Sequence, residues 1–561
     1  MGNFSRIFLF LIILVPCNGR AESSVLPLLH FIHADDALFW QWYQSSSNSS
    51  STNTNRLLTQ TQYPLTKELL RKKNTKDKTT SNLPSQTQKY FLAFTTPSNG
   101  HVASVFGHLF LVKSDNQRKP PKSGKTYQYI ANTGDTRGLE LVTKGTKPFF
   151  EATLQTEKLF ELSDNYLNKQ NRNILYYEVA CTDYGKYLFN LFIDEIKASK
   201  SKYSFQKNNC ALFVHYAINL LSYKRDSRPI FKNKTFVSPQ KVLKSAIAEG
   251  HVTFNSIERS TINYLKSLDV QDQTWKSLRE DTTLFEPMIL EGSLTVYQGQ
   301  QYLSWLRREN LISNQEFIES LDSIGKAPGF VDSEPYEIFP INSTKTNRST
   351  NVKFGLRNKY PFVEVKHIPF GLQSDNLNEL YPDWNKIEFL STSLTAIGFN
   401  DRWDTFIDEF CLLDLDYKSG NDNFDNRLGF QFGLKYTDNF YSPNMERLRR
   451  VYLNIAPQKE KKISKKVQIV TDIGVHINLT TDIENTLFAA PKLGGFIQYN
   501  NPSNSSATLG ISYILLNHNH NDLLEFNSYY QNAKMGAFYF ENRASIMNQK
   551  PLYSFALGVN F

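Results

Sequence analysis

The sequence predicts an α+β domain with flanking helices followed by an antiparallel β-barrel. Three observations carry this. An apolar run, "SVFGHLFLV", holds one histidine, His108, and a later segment, "YSFQKNNCALFVHYAINLL", opens what reads as a helix on Cys210. Beyond about Ile387 the hydrophobic period changes to two, as repeated hairpins require. A chain of 561 residues exceeds what one hydrophobic core usually serves, so two or more domains are expected.

The expected division follows the chain. Residues 1–21 have Arg6 ahead of an apolar run from Ile7 to Val15 and small residues at Gly19 and Ala21, the pattern of a secretory signal peptide. Pro16 before Cys17 argues against acylation there. Residues 22–95 read as helical around the low-complexity loop "SSSNSSSTNTN". The pattern turns strand-like from Tyr90, and residues 96–225 read as the Cys-His domain, with strands near His108 and Tyr127 and helices at "FFEATLQTEKLFELSDNYL", "YGKYLFNLFIDEIKAS" and the Cys210 segment. Residues 226–385 read as helices and a connector, and 386–561 as a barrel of about eight to ten strands. In "RLGFQFGLKY" Leu428, Phe430, Phe432, Leu434 and Tyr436 share one face, and Tyr553, Phe555, Leu557, Val559 and Phe561 repeat the pattern. Apolar residues outward, small or polar residues inward and no open edge are what a sheet in lipid needs. The same alternation fits a soluble sandwich or barrel with its apolar face inward.

Composition narrows the function. The net charge of +9 is spread among acidic residues, with no basic stripe or recognition motif, so no nucleic-acid partner is expected. Ten histidines and the cysteines Cys181, Cys210 and Cys411 show no metal-ligand spacing, and no cofactor or metal is expected. Cleavage at Ala21 removes Cys17 from the four cysteines, and the three that stay are not a disulfide framework, so at least one exported thiol is free.

A thiol is a nucleophile only as thiolate, which needs a base, a helix N-terminus, or both. Asn209 is a good N-cap, putting Cys210 in the first turn. Its N–H is then a candidate oxyanion donor. His215, five residues on, lies on another face of the helix. His108 is the candidate base, with Gly107 permitting close backbone approach, and Asn132 in "YIANTG" is the candidate group to orient the imidazole. Taken singly, each has an ordinary alternative as a core histidine, a small buried cysteine or a turn asparagine. Cys181 and Cys411 read as packing residues.

The order of short motifs adds to this. Ser104 with Phe106, Gly107 and His108, then Tyr129 and Asn132, then Arg172 and Tyr177 in "RNILYYEV", then Tyr203, Phe205, Asn209 and Cys210, resembles the Lnb N-terminal periplasmic domain. Asn173 and Tyr176 stand where that family often has acidic residues. The His-before-Cys order also resembles the permuted papain-like group related to NlpC/P60 and lecithin:retinol acyltransferase. The resemblance implies a papain-like fold and a Cys-dependent acyltransferase using phospholipid or lipoprotein substrates through a thioester. Ser104, Gly107, Tyr203, Asn209 and Arg172 would support Cys210, His108 and Asn132, with the barrel in the outer membrane. A peptidoglycan peptidase or amidase, and a non-catalytic binding module, stay open beside it.

Overall fold

The computed structural model describes residues 26–33, 64–66, 68–69, 87–96, 107–115, 120, 122–136, 140, 144–145, 148–199, 201–205, 208–223, 237–267, 272–326, 350–368, 370–372, 384–399, 402–417, 428–440, 447–464, 467–481, 488–501, 505–515, 522–532, 538–547 and 550–560. The signal-peptide reading, Ser104, Phe106 and Phe561 lie outside them. The chain divides into two compact units, the described residues up to Ser260 in the first and those from Thr261 in the second.

The first unit is built on a seven-stranded antiparallel sheet. In chain order its elements are helix α1 (Leu26–His33), strands β1 (Gln88–Thr95), β2 (His108–Asp115), β3 (Lys125–Asn132) and β4 (Phe150–Gln155), helix α2 (Leu159–Asp164) running into a π turn at Asn165–Lys169, β5 (Ile174–Val179), α3 (Asp183–Ala198), β6 (Lys202–Tyr203), α4 (Cys210–Leu221), α5 (Pro239–Ala248) and β7 (Val252–Glu258). The strand order is β6-β4-β3-β2-β1-β5-β7. "FFEATLQ" is strand β4 rather than the start of a helix, and β7 is a strand in a stretch read as helical. Both are short segments whose backbone groups find partners on β3 and β5, and tertiary pairing decides between helix and strand at that length.

Each face of this sheet is covered. Phe91, Ala93, Phe110, Val112, Ile174 and Tyr176 pack against Leu159, Leu162, Tyr166 and Leu167 of α2 and the π turn. On the opposite face Tyr90 and Tyr127 meet Phe189 of α3 edge-on, and Tyr129 stacks on Phe213 of α4. The sheet also splits. Strand β3 pairs with β2 only over Lys125–Tyr127, then passes to β4 from Gln128 onward. Helix α4 packs against both β2 and β3.

The second unit holds α6 (Thr261–Ser267), α7 (Asp272–Glu280), α8 (Phe285–Leu290), α9 (Val296–Arg308) and α10 (Asn314–Lys326), with a core around Trp275, Tyr302 and Trp305. No helix among the described residues is long and apolar enough to cross a membrane. Strands β8 (Thr350–Arg357), β9 (Tyr360–His367), β10 (Phe370–Leu372), β11 (Trp384–Phe399), β12 (Arg402–Tyr417), β13 (Gly429–Phe440), β14 (Arg447–Lys462), β15 (Val467–Thr481), β16 (Phe488–Asn501), β17 (Ser505–Leu515), β18 (Asp522–Asn532), β19 (Phe538–Met547) and β20 (Lys550–Asn560) follow. Each of β11 to β19 pairs with its successor, β20 pairs with β8, β8 with β9, and β9 with β11, so the sheet closes as a 12-stranded barrel, with β10 beside β11 just beyond β9. The expected eight to ten strands are thus corrected to 12, and the barrel begins at Thr350 rather than 386.

Its outward residues include Phe354, Leu356, Ile473, Leu493, Leu509, Ile511, Tyr553 and Phe555, all exposed. Its inward residues are charged and paired. Lys353 bridges Glu364 at 3.1 Å and Glu541 at 3.0 Å, Arg357 meets Asp408 at 3.2 Å, and Lys386 and Lys435 share Asp414, each at 2.6 Å. Apolar side chains outside and an ion-paired lumen inside are the inverse of a soluble barrel and suit lipid.

Candidate active site

Helix α4 begins where its sequence says it should. Asn209 is extended at φ −123° and ψ 176°, and its side-chain oxygen accepts the Leu212 N–H at 2.9 Å. Its Nδ2 donates to the Phe205 and Val237 carbonyls, both at 2.8 Å. The N-cap therefore fixes the helix start and ties it to two loops. Cys210 follows in the first turn, buried.

The split between β2 and β3 is where this helix start is received. The N–H groups of Leu109 and Ala211 and the Tyr203 hydroxyl reach the Cys210 sulfur. Leu109 is the neighbour of His108, so Cys210 and His108 come to the same end of β2. His215 does not share the site; its ring lies against Asn219 and Tyr216. The Cys210 N–H donates to Tyr203 Oη at 3.3 Å, so the expected oxyanion donor is engaged.

His108 begins β2 directly after Gly107. At φ +79°, a Cβ on Gly107 would stand 2.7 Å from both the Phe94 ring and the Thr95 carbonyl oxygen, so only glycine fits. The imidazole faces Tyr166, with centroids 6.4 Å apart, and hydrogen-bonds Gln128. Gln128 in turn donates through Nε2 to Glu157 Oε1 at 2.5 Å and accepts the Tyr166 hydroxyl at 3.2 Å. Nε2 of His108 is buried with no hydrogen-bond partner among the described residues.

Arg172 completes the cluster. It is buried, and its Cζ lies 4.7 Å over the Tyr166 ring. Nε donates to the Thr96 carbonyl, Nη2 to Thr95 Oγ1 and Nη1 to Gln170 Oε1 at 3.1 Å. These acceptors are neutral, so the guanidinium charge is left to act on the groups around it.

Burial sets the protonation states. It pushes the Cys210 thiol up, against the pull of the Leu109 N–H, the Tyr203 hydroxyl and the Arg172 charge. Burial and then Arg172 push His108 down to about 3. Thiol and imidazole are thus both neutral at rest, whereas a helix N-terminus alone would favour a preformed thiolate. Cys181 is outside the site: burial raises its thiol to about 12, and its sulfur donates to the Val179 carbonyl at 3.3 Å.

Asn132, the expected orienting group, is not placed beside the imidazole. It is exposed at the end of β3, opposite Glu151 of β4, and the side chain that bonds the imidazole is Gln128, four residues earlier. Asn132 lies beyond the point where β3 has left β2, so it follows β4 instead. Sequence reasoning missed Gln128, Glu157 and Tyr166. The β-alternation that puts Gln128 on the face of Phe110 was the available signal. No group of three or more His, Cys, Asp or Glu among the described residues is placed to hold a metal ion.

Comparison with solved structures finds barrels. The NanC porin is 13% identical, covering 38% of this chain and 98% of that one, with a TM-score of 0.23. The KdgM porin is 8% identical over the same shares, also at 0.23, and an anion-selective porin from Comamonas acidovorans is 7% identical over 36% and 58%, at 0.17. No curated protein matches the chain. Residues 77–239, which contain the Cys210 and His108 cluster, match the family model described as the Lnb N-terminal periplasmic domain. Residues 77–239 are thus similar to a periplasmic domain family, and the closed, outwardly apolar sheet that follows is a β-barrel of the outer-membrane type.

Proposed function

We propose that the first unit is a thiol acyltransferase of the cell envelope, held at the outer membrane by the barrel and acting on a lipid or lipoprotein ester. The observation that supports this best is the burial of Cys210 among Leu109, Tyr203 and Arg172 at the His108 end of β2. A thioester formed there is shielded from water, which favours passing the acyl group to an amine over hydrolysis. The residues suit a permuted papain-like arrangement, with the nucleophile on a helix start and the base on a neighbouring strand.

In this mechanism Cys210 attacks the ester carbonyl while Nε2 of His108 takes the thiol proton. Both groups start neutral, so transfer accompanies attack. The Tyr203 hydroxyl, beside the sulfur, donates to the oxygen on which charge develops, and Arg172 stabilises the anionic intermediate through space. The C–O bond breaks, His108 returns its proton to the leaving alkoxide, and the acyl group rests on Cys210. An amine then attacks the thioester, giving an amide and the free thiol.

The test incubates the full chain, in phosphatidylcholine vesicles, with phosphatidylglycerol carrying a labelled acyl chain and no amine acceptor. Label bound at Cys210, released by hydroxylamine and lost in Cys210→Ser, is the expected result. No label at Cys210, together with cleavage of peptidoglycan peptides, would replace acyl transfer by the peptidase reading.

A further inference from the structure

We propose that Glu157 is a positioning residue that acts on His108 through Gln128, fixing which imidazole nitrogen carries the proton. This rests on the Cys210–His108 reading above and deepens it. The direction of the Gln128 amide is set first. A carboxylate only accepts, so the 2.5 Å contact between Gln128 and Glu157 Oε1 must use the Gln128 NH₂. Gln128 Oε1 is then turned the other way, where it accepts the Tyr166 hydroxyl at 3.2 Å. Nε2 is buried without a partner, so we assign the bond to Gln128 to Nδ1. Facing a carbonyl oxygen, Nδ1 keeps its hydrogen, and the lone pair falls on Nε2, where a base is needed.

Glu157 is itself held firmly. Its carbonyl accepts from the Thr126 N–H at 2.8 Å and the Thr126 hydroxyl at 2.9 Å, and its N–H donates to Thr126 Oγ1 at 3.3 Å. Thr126 and Gln128 lie on the same face of β3, so one strand places both the amide and its anchor. The other groups bearing on the imidazole are Tyr166 from the π turn and Arg172 ahead of β5, with Cys210 at the start of α4 near the same end of β2. Glu161 of α2 bears on Glu157. Without the carboxylate, the Gln128 amide is free to flip and present its NH₂ to Nδ1, selecting the wrong tautomer.

The experiment measures the rate of iodoacetamide alkylation at Cys210 against pH, on the full chain in detergent micelles, resolved by peptide mass spectrometry. Glu157→Leu and Gln128→Leu should slow the reaction about tenfold and move its profile to higher pH. Exchanging the two groups, Gln128→Glu with Glu157→Gln, should move the profile to lower pH, because the carboxylate then sits directly on Nδ1 and favours the thiolate–imidazolium pair. A merely structural role moves all three variants the same way, and that result, or three unchanged profiles, overturns the inference. His108→Ala separates the levels: if it slows Cys210 while the Gln128 and Glu157 variants do not, only this inference fails, and if it changes nothing the Cys–His site fails too.

Discussion

Substituting Gly107 by alanine tests how far the site depends on one backbone position. Two costs apply. A side chain at φ +79° carries roughly 1–2 kcal/mol of backbone strain. The new Cβ also stands 2.7 Å from the Phe94 ring and from the Thr95 carbonyl. The carbonyl is backbone of β1, paired with β2 at this level, so neither neighbour yields easily, adding about 1–3 kcal/mol. Gly134 is the control, since it has φ +52° with nothing within 4 Å of an added methyl and should pay only the strain. Gly107→Ala should therefore lose about 2–5 kcal/mol, and Gly134→Ala about 1–2 kcal/mol. The assay is Cys210 alkylation of the full chain across a urea series, which reports opening of the first unit. With a slope of about 2 kcal/mol per M, Gly107→Ala should lower the midpoint by about 1–2.5 M. Equal midpoints for the two variants would show that the overlap is relieved elsewhere and refute the reasoning.

The remaining predictions concern other parts of the molecule. His108 has its protonation held at about 3 in the fold against 6.5 for the free side chain, so the unfolded chain binds the extra proton first as pH falls. Stability of the first unit should fall between pH 6.5 and about 3, by at most about 1.4 kcal/mol per pH unit, and His108→Gln should flatten the dependence of the urea midpoint. Asn209→Ala removes the cap and two buried amide bonds and should cost about 1–3 kcal/mol, with Asn209→Asp recovering only the cap. In the barrel, Arg357→Met leaves Asp408 without its cation and should cost about 3–5 kcal/mol, while Arg357→Met with Asp408→Leu should recover most of it, read as heat resistance of the folded band in detergent gels. Leu509→Lys on the outward face should cost about 2–4 kcal/mol and reduce the folded fraction in membranes; full assembly would contradict lipid contact there.

Legibility differed by element. The start of α4 was readable because Asn209 and Cys210 are adjacent and the cap is local. Strand β20 was readable because Tyr553 and Phe555 alternate with Ser554 and Ala556. Strands β8 and β9 were missed because their inward residues are Lys353, Arg357, Glu364 and Lys366, charges that look like a solvated connector until the ion pairs across the lumen are known. Gln128 was missed for a related reason: its partners Glu157 and Tyr166 are far along the chain and meet it only after β3 has moved from β2 to β4.

The seam between β20 and β8 also sets an order of events. Most of the ladders join strands that are neighbours in sequence, so they can form one hairpin at a time. The seam joins Asn351 to Asn560 and Arg357 to Ser554, from opposite ends of the barrel segment. Until it closes, β8 and β20 each present an unpaired edge, and the growing sheet is a template for any passing strand. This seam therefore carries the largest loop-closure cost in the barrel, and until it forms both edges stay open to pairing.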